Sequence, residues 1–158
     1  MEIKVKLIKP YTEEERLDFI VQYNHRHGYK INETDTELQA LDYTQEEHEM
    51  LEQERIAKLF LTGADVERGI YQAIGKDFED IIELVETLQF AEAPQVQGLD
   101  IKALKIELKA NHFYRGNPYV NAVGALLEFT SEQLDKFFEY NDYTYLINKN
   151  EKEVEDND

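Results

Sequence analysis

Histidine and carboxylate side chains are the groups in this chain that could hold a metal ion. The 158 residues include four histidines and no cysteine, so a metal would need imidazole and carboxylate ligands. His25 and His27 are two residues apart, and residues at that spacing on a helix point to different faces. His48-Glu49 begins the spacing of a zinc-protease helix, but Glu52 stands where the second histidine is needed. We therefore expect no metal site and no cofactor.

Carboxylates of the kind used in acid–base catalysis are grouped in the middle of the chain. Pairs of such groups serve glycosidases and two-metal hydrolases. The group consists of Asp77, Glu79, Asp80, Glu83 and Glu86. Among 34 Asp and Glu residues, however, carboxylates lie close together by chance, and no phosphate-binding loop or nucleophile motif accompanies these. We expect them to form the solvated face of an amphipathic helix, and we expect no enzyme activity.

The string Asn111–Asn117 combines a histidine, two aromatic residues and an arginine. Tyrosine and arginine are over-represented in binding hot spots, so Tyr114 and Arg115 are candidates for an exposed anchor that binds a protein partner. In the alternative interpretation, Phe113 and Tyr114 pack at a corner between two helices, and Arg115 binds carbonyl groups at a helix C-terminus. The second interpretation is favoured.

A second aromatic group follows the last predicted helix and consists of Tyr140, Tyr143 and Tyr145. Ten tyrosines and no tryptophan leave room for a tyrosine-rich recognition patch. Such a group equally serves as a satellite of the core. Both interpretations stay open.

The formal net charge of −17 opposes direct binding to nucleic acid or to an anionic membrane, because every phosphate contact works against the field of the protein. The carboxylates could instead mimic phosphates and bind a basic partner. Besides the group in the middle of the chain, the residues suited to this are Glu46, Glu47, Glu49, Glu52 and Glu54. In the alternative interpretation the charge only keeps the protein soluble. No apolar stretch has the length of a signal peptide or membrane span, so we expect a cytoplasmic protein.

The elements that position these groups predict an α+β fold. Residues 1–43 form a strand–helix–strand module, in which the alternation of residues 2–9 predicts a strand. We expect this strand to pair with residues 29–32, and the helix between them to begin at Thr12 and end at Gly28. Residues 44–61 predict a polar helical connector.

Residues 62–147 predict a bundle of four to five short helices. Caps at Thr62, Asp100 and Asn117 mark helix starts, and an amphipathic pattern covers residues 78–89. Residues 90–98 show no periodicity and are predicted to form a linker. The helix that starts after Asp100 should end near Arg115. Residues 148–158 are charged and poor in apolar side chains, so we expect a disordered acidic tail.

Several of these segments together resemble a group of small phage proteins. The segments are Lys9–Arg16, Leu61–Gly69 and Asn111–Asn117, with Val123-Gly124 and Leu134–Phe138. The resemblance is to uncharacterised proteins encoded by phages and prophages of low-GC Gram-positive bacteria and fusobacteria, often beside tail-fibre genes. It implies a viral source and no particular activity. We expect a non-catalytic accessory or assembly protein that binds a viral tail protein. The alternative is an anti-CRISPR-type inhibitor that mimics nucleic acid and binds a host defence effector.

Overall fold

The computed structural model describes residues 2–147, and they form the mixed α+β architecture that the sequence predicts. The described residues divide into two compact units between Gln53 and Glu54, and the division falls within the helix Gln45–Ala57. Each unit has its own apolar core. The predicted acidic tail, residues 148–158, lies outside the described residues.

The first unit packs a helix against a three-stranded sheet. Its elements, with the helix that continues into the second unit, are β1 (Ile3–Ile8), α1 (Glu13–Ile20), a π-helical segment (Val21–Arg26), β2 (Lys30–Glu33), β3 (Glu37–Leu41) and α2 (Gln45–Ala57). Thr12 caps α1 by accepting a hydrogen bond from the N–H of Glu15 at 3.1 Å. The helical segment ends at Gly28, as predicted, because its φ of 72° suits glycine. Phe19, Leu38 and Ala40 form the core.

The predicted pairing of β1 with residues 29–32 is wrong, because β3 lies between β1 and β2 and pairs with both in antiparallel fashion. The strand was missed because Glu, Leu, Gln and Ala are good helix formers. Two features select the strand instead. Leu38 and Ala40 are fully buried at alternate positions, and the hydroxyl of Thr34 accepts from the N–H of Glu37 at 3.1 Å, which turns the chain from β2 into β3.

The second unit is a helical bundle with a small sheet. After α2 come β4 (Phe60–Thr62), α3 (Gly63–Ile74), α4 (Phe78–Phe90), α5 (Ile101–Glu107), β5 (His112–Tyr114), α6 (Pro118–Leu126) and α7 (Ser131–Tyr140). Two 3₁₀ turns, Pro94–Val96 and Tyr143–Leu146, complete it. The core includes Ile81, Val85, Leu104 and Phe137, and Val96 of the predicted linker is also buried in it.

The predicted helix starts are confirmed at four positions. The side chains of Thr44, Thr62, Asp100 and Asn117 accept hydrogen bonds from backbone N–H groups two or three residues later, at 2.9–3.2 Å. Pro118 follows Asn117 at the first helical position, where its missing N–H costs nothing.

Two predicted helix ends are wrong, and both errors have one cause. The predicted connector helix was expected to reach Leu61 but ends at Ala57, and the helix expected to reach Arg115 ends at Glu107. The residues beyond these ends form β4 and β5, which pair with each other across some fifty residues of chain. A strand of three residues is too short to show a periodicity of its own.

Candidate functional site

The paired strands β4 and β5 present one apolar face to the core and one aromatic face to solvent. Phe60 lies opposite Tyr114, Leu61 opposite Phe113, and Thr62 opposite His112. Leu61 and Phe113 are buried in the core of the second unit. Because side chains alternate along a strand, Phe60, Thr62, His112 and Tyr114 share the outer face.

We call the side chains of Phe60, His112 and Tyr114 the aromatic face. Phe60 is 60% exposed, Tyr114 is 49% exposed, and His112 is also exposed. Their rings contact one another, with centroid distances of 5.9 Å from Phe60 to each of the other two and 5.3 Å from His112 to Tyr114. This mutual contact keeps the three rings together as one exposed surface.

The hydrogen bonds around this small sheet explain why the rings lie so close. The N–H of Arg115 donates to Leu59 O at 2.8 Å, and the N–H of Gly63 donates to Asn111 O at 2.8 Å. These bonds make Phe60 and Tyr114 a non-hydrogen-bonded pair, in which opposing side chains approach most closely. The N–H and C=O of Phe60 therefore point away from β5, toward the free edge of β4.

Hydrogen-bonding capacity on the aromatic face is unused within the part of the chain that the structure describes. Neither the hydroxyl of Tyr114 nor the ring nitrogens of His112 bond to any residue from 2 to 147. Tyrosine combines a large apolar ring with a polar tip, a combination common at interfaces. The face can therefore provide both stacking area and polar contacts to a partner.

Arg115 was expected either as an exposed anchor or as a partner of helix C-terminal carbonyls, and both expectations are wrong. The residue is only 6% exposed. Its Nε donates to Asp135 at 2.7 Å, and its terminal nitrogens donate to Asn121 Oδ1 at 2.6 Å and Ser131 Oγ at 3.0 Å. Arg115 thus joins the end of β5 to the N-terminal halves of α6 and α7, and it is not available to a partner.

The predicted acidic group on α4 divides into capping and exposed residues. Asp77 and Asp80 form a capping box, in which each carboxylate accepts from the other's N–H at 2.9 Å. Glu79 and Glu83 are exposed on the outer side of α4. Glu86 forms an ion pair with Lys105 at 2.8 Å. The structure therefore leaves only part of this group facing solvent without another role.

The acidic residues of α2 divide in the same way. Glu47 accepts from Lys30 at 2.7 Å and from the N–H of Thr44, and these hydrogen bonds lower the pKa of its carboxyl group. Glu46, Glu49 and Glu52 are exposed. The carboxylate of Glu49 accepts from the side chain of Gln45 at 3.0 Å.

The histidines lie apart from any potential set of metal ligands. Within residues 2–147, no group of three or more His, Asp and Glu side chains is placed to hold a metal ion. The ring of His27 stacks on Tyr29 at a centroid distance of 6.0 Å and is tilted against Tyr23 at 5.8 Å. His48 contacts the ring of Tyr43. His25 lies in the π-helical segment that ends the first helix.

The C-terminal tyrosines form a smaller aromatic surface. Tyr140 and Tyr145 stack at 5.5 Å, and Tyr140 is largely exposed whereas Tyr143 is half-buried. Leu146, in the same 3₁₀ turn, is buried in the core. This segment therefore serves packing and leaves one exposed tyrosine pair.

The helices of the second unit also line a partly open apolar cavity of about 40 Å³. Val66, Ile70, Val123, Leu134 and Phe137 contribute to its wall. Water requires two or more polar partners in a buried site, and this wall is almost entirely apolar. Only Glu107 and Tyr119 add polar side chains to its lining, so few groups could orient a ligand there.

Comparison with known proteins finds no counterpart. No family model, no curated protein and no solved structure matches the chain. No helix within residues 2–147 is both long and apolar enough to cross a membrane.

Two residues of the aromatic face, Phe60 and His112, were missed as site candidates. Phe60 lies within the predicted helical connector, residues 44–61, and His112 is one member of a mixed string. The available signal was the match between Phe60-Leu61-Thr62 and His112-Phe113-Tyr114, two short runs with an apolar residue at the centre. Only their pairing brings the outer residues together.

Proposed function

We propose that this protein is a non-catalytic protein-binding factor and that the aromatic face is its principal contact surface. The observation that carries the proposal is the mutual packing of Phe60, His112 and Tyr114 on the solvent side of the small sheet. Large aromatic side chains in contact with one another are the usual centre of a protein interface. The exposed parts of these rings gain from the hydrophobic effect only when a partner covers them.

The resemblance to phage proteins encoded near tail-fibre genes supports a more specific role. The protein would act in the cytoplasm of the host cell as an accessory or assembly factor for the viral tail, and it would bind a tail protein without catalysing a reaction. An interface centred on aromatic residues suits this role, because its energy comes from the buried centre and changes little with salt.

Affinity capture with matched variants tests this proposal. The tagged protein and its Phe60→Ser/Tyr114→Ser variant are used to capture partners from induced or infected cells, and the partners are identified by mass spectrometry. Tyr71→Ser is the control, because Tyr71 is 60% exposed but has no ring contact in the described part of the chain. We expect a viral structural protein that the control retains and the double variant loses, at low and high salt alike. Equal capture by all three proteins would refute the proposal.

A second candidate function rests on the exposed carboxylates. Glu79 and Glu83 of α4 face solvent and have no Lys or Arg partner in residues 2–147, which suits mimicry of phosphates. In this case the partner is a basic host defence effector, such as a CRISPR nuclease. Binding should then be lost at high salt, because exposed charges are screened. Glu79→Lys/Glu83→Lys should abolish capture, whereas Phe60→Ser/Tyr114→Ser should not.

A further inference from the structure

We propose that the aromatic face receives an extended, arginine-bearing segment of the partner, which adds to the free edge of β4 as a third strand. This inference rests on the proposed protein-binding function and names the chemistry of the segment that is bound. Three features of the second unit carry it: an open strand edge, exposed rings and an excess of negative charge.

The free edge of β4 provides main-chain hydrogen bonds. The N–H and C=O of Phe60 point away from β5 and bond to no residue in the described range. On the opposite edge, the C=O of Tyr114 already accepts from the N–H of Asn117 at 3.0 Å. An extended segment can therefore pair beside Phe60 and place alternate side chains over the aromatic face.

The area of the aromatic face favours a short segment over a second copy of this chain. An aromatic side chain buries about 150–250 Å² when covered completely, and the exposed rings here offer about half of that each. The sum is a few hundred Å², whereas a stable interface needs about 800 Å² from each partner. Two copies with a charge of −17 each would also repel one another.

The net negative charge of the second unit favours an arginine in the bound segment. Residues 54–147 contain sixteen Asp and Glu residues and nine Lys and Arg residues, so the unit favours a cationic over an anionic segment. This charge sets the preference, whereas the covered rings supply most of the binding energy, which changes little with salt. A guanidinium group stacks on the faces of tyrosine and phenylalanine and can donate to the free hydroxyl of Tyr114. Neighbouring strands lie about 4.8 Å apart, so an arginine at an outward position of the added strand would stack on Phe60 and extend across it toward the hydroxyl of Tyr114 on β5.

Lys58 and Lys109 make the proposal sharply testable. They precede the two strands, are exposed and form no ion pair within residues 2–147. Lys76, Lys102 and Lys136 likewise form no ion pair with any described residue, so the absence of a partner does not mark the lysines near the sheet as an anion site. Near a cationic segment they are repulsive. Their removal should strengthen binding, whereas it would weaken binding to an acidic segment.

The test is a titration followed by NMR with three capped nine-residue peptides. One alternates Thr and Val with Arg at the third and seventh positions, the second has Glu in place of both Arg, and the third has Pro at the central position. We expect the Arg peptide to shift the amide signals of Phe60 and Tyr114. The Glu peptide should leave them unchanged, and the Pro peptide should bind less tightly because it cannot complete the ladder.

Variants decide the outcome. Tyr114→Ser should weaken binding of the Arg peptide about two- to fivefold, and Tyr71→Ser should not change it. Lys58→Ser/Lys109→Ser should tighten binding. Stronger binding of the Glu peptide, weaker binding by the lysine variant, or no binding of the Arg peptide would each overturn the inference. If partner capture still depends on Phe60 and Tyr114 in that case, the protein-binding function stands and only the chemistry of the segment is wrong.

Discussion

At the scale of single residues, buried and exposed charges have different roles in this protein. Arg115 is enclosed and uses all three guanidinium nitrogens, so it holds elements together. Glu33 lies at the surface of the first unit and accepts hydrogen bonds from the hydroxyl of Tyr11 and from Arg16 Nε at 3.2 Å. Each arrangement predicts a measurable effect on stability.

Replacing Arg115 should destabilise the second unit strongly. Arg115→Met removes charge-assisted hydrogen bonds and leaves Asp135, whose side chain is 33% exposed, without its partner. We expect a loss of about 2–4 kcal/mol in the free energy of unfolding, measured by urea denaturation. The control is Arg68→Met, which breaks the exposed ion pair with Asp65 and should cost less than about 1 kcal/mol. Equal losses in the two variants would show that Arg115 is not a structural centre.

The pH dependence of stability should report on Glu33. The hydrogen bond from Tyr11, followed by that from Arg16, lowers the pKa of its carboxyl group below the ordinary value of 4.5. A lowered pKa in the folded state means that the stabilisation is present above the unfolded-state pKa and is lost as the pH falls through the folded-state pKa.

Glu33→Gln should therefore be less stable than the wild type at neutral pH, and the difference should shrink as the pH falls below about 4.5. Urea denaturation at a series of pH values measures this difference. Glu14→Gln is the control, because Glu14 is exposed and has no bonded partner in the described range. A difference for Glu33→Gln that stays constant with pH would contradict the prediction.

At the scale of elements, glycine allows two close helix contacts in the second unit. A Cβ atom added at Gly69 of α3 would lie 2.4 Å from Phe137 Cζ of α7. A Cβ atom added at Gly124 of α6 would lie 2.6 Å from Leu134 Cδ1, which also belongs to α7. Phe137 and Leu134 are both buried, so neither can move away freely. Glycine is required at these two positions because side chains of α7 pack closely against them, and not because the backbone turns there.

Gly69→Ala should destabilise the protein although alanine favours helix. Overpacking against a buried ring costs about 1–3 kcal/mol, and the gain in helix propensity returns about 1 kcal/mol, so we expect a net loss of up to about 2 kcal/mol. Phe137→Leu makes room at the same place. The double variant should lose less than the sum of the single variants in thermal or urea unfolding. If the losses of the two single variants simply add in the double variant, the added methyl group does not press against Phe137.

At the scale of the whole molecule, negative charge exceeds positive charge two to one, with 34 Asp and Glu residues against 17 Lys and Arg residues. Repulsion between like charges destabilises a compact state and is screened by salt. Exposed ion pairs, such as those of Lys4 with Glu2 and of Lys9 with Glu33, are weakened by salt but contribute little. Repulsion should therefore dominate the response of the protein to ionic strength.

Raising sodium chloride from about 20 mM to about 500 mM should raise the melting temperature. Relief of about 1 kcal/mol of repulsion corresponds to about 2–4 °C for a chain of this length. Sorbitol at matched osmolality is the control for solvent exclusion. Glu46→Gln/Glu49→Gln should respond less to salt than the wild type, because two exposed charges are removed. A melting temperature that falls with salt would show that ion pairs outweigh the repulsion.

The sequence by itself determined the features that depend on near neighbours along the chain. Helix starts at Thr62 and Asn117 were predictable because a cap bonds to an N–H two or three residues away. Tyr114 was predictable as a candidate from its residue type. Only the tertiary structure decided that Phe60 joins it and that Arg115 is buried, because both depend on partners far along the chain. Pairing between distant short strands is selected by the shared core beneath them, and no local pattern encodes that choice.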